Sequence, residues 1–201
     1  MDYREDRMVG DYWIIRSMYV GDKEIVLGED MESPPGKRYS CSLCQHSGPF
    51  LVHQNLVASD DYLEIVKIFG ERIVAQAEKT KEEVSVEPEI SNAPFTEADC
   101  TPISPMEDLL GKVIVIKADF LLREYRTATH QLKLCTGGLG AHSDNRGAAV
   151  FCKDLYSGKE NRFERWGVLG IMPLEKLPDW AKEGLANIQK ETRKQKDRGA
   201  R

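Results

Sequence analysis

No stretch of this chain approaches the ~18 consecutive apolar residues that a membrane span requires, so a membrane protein is not expected. Met1-Asp2-Tyr3-Arg4-Glu5-Asp6-Arg7 is charged and leads straight into a strand-like run, unlike the basic-then-apolar layout of a secretory signal. Cysteine is scarce: five in 201 residues, an odd number. Without a signal, that count points to reduced thiols, a cytoplasmic protein and no structural disulfide. No internal repeat links the two halves of the chain.

What is present is ordinary in bulk and uneven in distribution. Hydrophobic residues make up 41% and charged residues 30%, which supplies material for a core of one larger or two small domains. Residues 1 to 110 carry 10 Lys+Arg against 22 Asp+Glu, whereas 111 to 201 carry 18 against 11. Such a two-sided molecule suits a charged partner, mutual attraction of the halves, or two independently solvated surfaces.

The order of local signals predicts an α+β fold. Tyr12 to Val20 and Glu24 to Gly28, joined through Gly21-Asp22-Lys23, read as a hairpin. Tyr39 to Leu43 and Pro49 to His53 are shorter candidate strands, too closely spaced for helical crossovers, so the sheet is antiparallel. Ser59-Asp60-Asp61 supplies a helix N-cap and an acidic first turn. Tyr62, Leu63, Ile65, Val66, Phe69, Ile73, Val74 and Ala77 then recur near helical spacing. Residues 81–110 change to Glu, Lys, Pro, Ser and Thr and read as a linker between an acidic unit at 8–80 and a basic β module at 111–201. Gly111 to Ala118, Gln131 to Leu134, Ala148 to Leu155, Asn161 to Trp166 and Val168 to Met172 are strands, with a turn at Tyr156-Ser157-Gly158-Lys159. They suit a small bent antiparallel sheet or partial barrel. Asp179 caps a C-terminal helix with an apolar stripe at Trp180, Leu185 and Ile188, followed by a fraying basic tail from Lys190 to Arg201.

Four constellations could carry chemistry. Cys41, Cys44, His46 and His53 contain half of a zinc pattern at a spacing shorter than a zinc finger uses; otherwise they simply alternate along a strand and turn. The glycine-rich loop 136–147 could cradle an anion, but a strand follows it and neither a Walker loop nor a dinucleotide fingerprint is met. A long β-loop with glycines at positive φ is the plainer account. His130, His142, Cys135, Asp144 and Glu124 offer a nucleophile and bases on paper, with no motif behind them. Cys135 and Cys152 lie in apolar runs as small buried hydrophobes, and Cys100 sits in the linker. The fourth set is Arg123, Tyr125, Arg126, His130, Lys133, Arg146, Arg162, Arg165 and Trp166, with Phe163 beside them. Its arginines can fork onto phosphate or carboxylate while its aromatics stack. The competing account packs Phe163 in the core and pairs Arg162 and Arg165 with Glu160 and Glu164.

At Glu124 to Leu132, Gly137-Gly138-Leu139-Gly140, Asn145-Arg146-Gly147, Leu155 to Gly158, Arg162 to Arg165 and Leu177 to Ala181, the chain resembles small proteins encoded on plasmids, prophages and conjugative elements of clostridia and related gut bacteria. The resemblance runs through 111 to 185 and more weakly through Tyr12 to Gln76. It brings no catalytic residues with it. Such neighbourhoods include type II anti-CRISPR proteins that bind Cas9, so it implies a non-enzymatic inhibitor of a host defence ribonucleoprotein; no cofactor or metal is expected from the residues. The alternatives are a stand-alone nucleic-acid-binding module and a hydrolase or transferase using the His130 to His142 loop.

Overall fold

The computed structural model describes residues 7–47, 50–85, 90, 92–143 and 147–199, with 45–47, 50–51 and 195–199 described by backbone alone. Two five-stranded antiparallel sheets, one of them curled into a half-barrel, and three helices make an α+β protein. Two compact units divide it, Met1–Ser85 and Val86–Arg201.

The first unit is a meander of β1 (Met8–Val9), β2 (Tyr12–Val20), β3 (Lys23–Glu29), β4 (Tyr39–Ser47) and β5 (Phe50–Ser59), followed by α1 (Tyr62–Val84). Two residues, Gly21 at φ 60 and Asp22, turn β2 into β3. Asp61 caps α1 by accepting from the Leu63 and Glu64 N–H groups, which satisfies two of the helix's orphan donors. Alternation along the strands sorts the side chains. Ile25, Leu27 and Cys41 share one face with Ile65, Ile68, Phe69 and Ile73 of α1, and Val9, Ile14, Val26 and Cys44 form a second cluster. Burying Ile65 completely contributes roughly 1.5–3 kcal/mol to holding the helix on its sheet. Leu63 and Val74, counted in the helix stripe from sequence, are 74% and 58% exposed, so the buried face lies along Ile65, Ile68, Phe69 and Ile73. β4 and β5 extend several residues past their sequence-predicted ends, through polar positions that no apolar alternation marks.

The second unit contains β6 (Val113–Ile116), α2 (Ala128–Gln131), β7 (Leu132–Gly137), β8 (Ala149–Asp154), β9 (Glu160–Glu164), β10 (Val168–Ile171) and α3 (Asp179–Gly199), with sheet order β10-β6-β7-β8-β9. Val113, Val115, Leu132 and Leu134 pack with Leu177, Ala181 and Ile188 beside α3, while Ile114, Ile116, Cys135, Val150 and Cys152 pack with Leu109, Leu121, Ala141 and Val168. Both faces of β6 are therefore buried, which is why its sequence is an unbroken apolar run. A side chain on Gly184 would overlap the Leu155 carbonyl, so α3 seats against the end of β8 only because residue 184 is glycine. Helix α3 continues to Gly199, through most of the stretch expected to fray.

The segment expected as a linker is largely structural. Residues 81–84 complete α1. Farther on, Leu109 is fully buried, Cys100 is 8% exposed within the core and Phe95 packs against that core. Thr101 and Ile171 exchange two backbone hydrogen bonds of 2.9 Å, and the Phe95 N–H donates to Gln131 Oε1 at 2.7 Å. Composition hid this because the apolar anchors are isolated among prolines and carboxylates, each filling a gap at the sheet rather than forming a periodic face. The assignment alters the electrostatics: residues 86–201 carry 18 Lys+Arg and 17 Asp+Glu, so the basic half of the sequence folds with its own acidic segment into a nearly neutral unit.

Candidate functional site

The nine residues grouped from sequence separate into different roles. Lys133 and Asp154, side chains 4% and 3% exposed, form a buried ion pair across β7 and β8, with the Lys133 ammonium over the Phe163 ring. Arg162 projects from β9 and pairs with Glu164 at 2.6 Å. The Tyr125 and His130 rings meet at a tilt of 51° with centroids 4.9 Å apart, and His130 Nδ1 lies 2.9 Å from the Thr127 hydroxyl. Burial holds the His130 imidazole below its usual pKa. Arg123 is exposed, and so is Arg126, whose Nε donates to the Leu121 carbonyl at 3.1 Å. Arg146 lies outside the described residues.

Arg165 differs most from its expected surface role. At 7% exposed, its Nη1 donates to the Gly140 carbonyl at 2.6 Å, and its Nη2 reaches the carbonyls of Glu107 at 2.7 Å, Ser104 at 3.1 Å and Pro105 at 3.4 Å. The guanidinium thus ties the 104–107 segment to the glycine-rich loop. No carboxylate pairs with it among the described residues.

Beside Arg165 lies a cavity of ≈ 450 Å³ lined by Ile103, Ser104, Pro105, Gly147, Ala148, Arg165 and Trp166. Trp166 stands at its edge, 59% exposed. Gly167 follows, and a side chain there would strike the Phe120 ring, so Phe120 covers the turn next to Trp166 while remaining 42% exposed. The Lys117 ammonium stands 6.0 Å from the Phe120 centroid. Leu139, 62% exposed, meets Gly147 at the cavity's other margin. Gly138, at φ 99, has the Ala149 carbonyl where a Cβ would be, and this lets the loop lie flat on β8 and present Leu139. The result is an apolar, aromatic-edged depression with one buried cation in its wall.

Among the described residues, no hydrogen bond joins Cys135, His130 and His142, three of the residues weighed for catalysis. Cys135 is 1% exposed with its thiol pKa raised by burial, and it makes no hydrogen bond to His130 or His142 among the described residues. Asp144 lies outside the described residues. Cys41 packs toward α1 and Cys44 belongs to the other cluster, so the two sulfurs cannot chelate one ion; three positions along a strand reverse the face. The His46 side chain lies outside the described residues.

Sequence reading missed a polar row across the first sheet. Cross-strand registers place Tyr19, Glu24, Cys44 and His53 side by side on β2 to β5. Arg7 makes a two-nitrogen ion pair with the 1%-exposed Glu24, and Cys44 Sγ lies 2.9 Å from His53 Nδ1. Burial would raise the Glu24 carboxyl, but the Arg7 guanidinium and the Tyr19 and Ser17 hydroxyls hold it below the usual range. Burial pushes the Cys44 thiol up and the His53 imidazole down. Both therefore rest neutral, as an internal hydrogen-bonded pair rather than a thiolate and its base. The signal was available in the hairpin register of β4 and β5, but only once both strands are given their full length.

No family model, curated protein or solved structure matches the chain.

Proposed function

We propose that this chain is a non-enzymatic interaction protein of a mobile genetic element, and that it binds a protein partner through the Phe120, Leu139 and Trp166 surface around the Arg165 cavity. The observation that carries the reading is Trp166, 59% exposed at the edge of a ≈ 450 Å³ depression. Tryptophan is among the residue types that dominate binding energy at protein interfaces. The sequence resemblance supplies the partner class, a host defence ribonucleoprotein such as Cas9 with its guide RNA. A stand-alone nucleic-acid-binding module has less support, because the unit is nearly neutral and Lys133, Arg162 and Arg165 are already engaged. A hydrolase or transferase would need a nucleophile and base in contact; among the described residues the Cys44 and His53 couple rests neutral, and the Thr127 and Thr129 hydroxyls beside His130 belong to a half-buried turn where Thr129 is itself fully buried.

Co-purification with tagged Cas9 and guide RNA tests the partner, and Trp166→Ala tests the surface. Alanine should weaken the association at least about tenfold, as expected for a central aromatic anchor, while leaving far-UV circular dichroism unchanged. Absence of any association removes the Cas9 assignment. Binding that survives Trp166→Ala and Phe120→Ala together removes the surface.

A further inference from the structure

Cys135 on β7 and Cys152 on β8 are directly opposite one another in the antiparallel register. The Cys135 backbone faces the other way: its N–H donates to the Lys112 carbonyl at 2.9 Å, and its carbonyl accepts from the Gly111 N–H at 2.9 Å. In an antiparallel strand both backbone groups of a residue point to the same side, so the contact with Cys152 is a non-hydrogen-bonded pair. Such pairs hold their Cα atoms about 4.5 Å apart with side chains on the same face, inside the roughly 4.4–6.8 Å window that a disulfide spans. Both cysteines are free and 1% exposed within one core cluster. The register shifts immediately after Cys135, a bulge that gives the strand local freedom to adjust.

We propose that Cys135 and Cys152 are a disulfide-forming pair, closed by thiol–disulfide exchange with a small-molecule disulfide. Cys135 gives its proton to solvent and its thiolate attacks one sulfur of the small disulfide, releasing the other half as a thiolate. Cys152, deprotonated in turn, attacks the Cys135 sulfur of the mixed disulfide and expels the second half. Two protein S–H bonds become one S–S bond, and the small disulfide is reduced to two thiols. Exchange in the folded protein is slow because both sulfurs are buried and the Cys152 thiol is pushed up to about 12, so it follows opening of the β7 and β8 ladder. The closed link ties off the base of the loop that presents Leu139 and Gly147. It stands whether or not that loop binds a partner.

The test is refolding of the full chain from urea in a buffer of reduced and oxidised glutathione, followed by alkylation and a non-reducing peptide map. Refolding exposes every thiol at the start, so burial cannot mask the outcome. The expected product joins Cys135 to Cys152, alkylates at the other three cysteines, and unfolds at a higher urea midpoint than the reduced chain. Cys152→Ser should instead hold glutathione on Cys135. Glutathione adducts spread over Cys41, Cys44 and Cys100 without the 135 to 152 link would overturn the proposal. So would a link that lowers the urea midpoint, since the native register would then not accommodate it.

Discussion

Replacing Arg165 with methionine separates two accounts of the arginine cluster. If Arg165 belonged to a partner-facing set with Arg126 and Arg162, its loss would cost binding and leave the fold alone. The structure assigns it four carbonyl acceptors drawn from residues 104, 105, 107 and 140. Hydrogen bonds from a charged donor contribute roughly 1.5–3 kcal/mol each, and the 2.6 and 2.7 Å bonds to Gly140 and Glu107 are the short ones. Against them stands the desolvation of the guanidinium, which methionine relieves. Ser104 and Pro105 are exposed and can turn their carbonyls to water. The net expectation is a loss of about 2–4 kcal/mol, set by the two short charge-assisted bonds less the recovered desolvation. Arg165→Lys should recover little, because one ammonium cannot bridge both segments as a planar fork does. Arg162→Met removes only an exposed pair and should cost under about 0.5 kcal/mol. Urea-dependent amide exchange in β6 and β7 reads the second unit directly. Equal protection in Arg165→Met and Arg162→Met would refute the argument.

Gly184→Ala gains helix propensity yet drives a methyl into the Leu155 carbonyl, and should destabilise the second unit by about 2 kcal/mol in urea melts; a neutral or stabilised variant contradicts the close seating of α3. Asp154→Ala strands the Lys133 ammonium and should cost about 3–5 kcal/mol, whereas adding Lys133→Met removes the stranded charge and should recover part of that loss, the share carried by the Tyr156 and Ser157 N–H bonds to Asp154 staying lost; equal defects in the single and double variants would refute the ion-pair account. Because the folded-state pKa of Glu24 is lowered, its contribution is present above the ordinary carboxylate value of about 4.3 and is lost as pH falls through the folded value. Acid titration of wild type against Glu24→Gln should therefore show wild type losing more stability below about pH 4, and parallel curves would exclude the role.

Much of the fold was legible because its signals are local. The Gly21 turn, the Asp61 cap, the apolar run of β6 and the Gly158 turn each follow from a few consecutive residues, and each stands where the sequence placed it. What escaped detection depends on residues far apart in the chain. Phe95, Cys100, Ile103 and Leu109 show no periodicity, because each fills a separate opening in a sheet built from residues 113 to 171. The Cys44 and His53 contact depends on two strands running through Ser, Gln and Asn positions, where hydrophobic alternation is silent.

The candidate site repeats that distinction. Arg162 and Arg165 stand three residues apart with the same side chain, and composition cannot rank them. Glu164 lies beside Arg162 on its own strand and gives it a surface pair. Arg165 turns inward because Ser104, Pro105 and Glu107 arrive from 58 to 61 residues upstream with carbonyls aimed at one point. The same upstream segment brings in the carboxylates that cancel the module's apparent positive charge. Beside the exposed Arg123 and Arg126, the second unit thus also exposes Trp166, Phe120 and Leu139. Recognition there should depend on apolar burial more than on salt, so Trp166→Ala should weaken partner binding more than Arg126→Ala at 150 mM salt, a concentration at which the Debye length is ≈ 8 Å. The opposite ranking in a pull-down titrated with salt would return the site to the arginines.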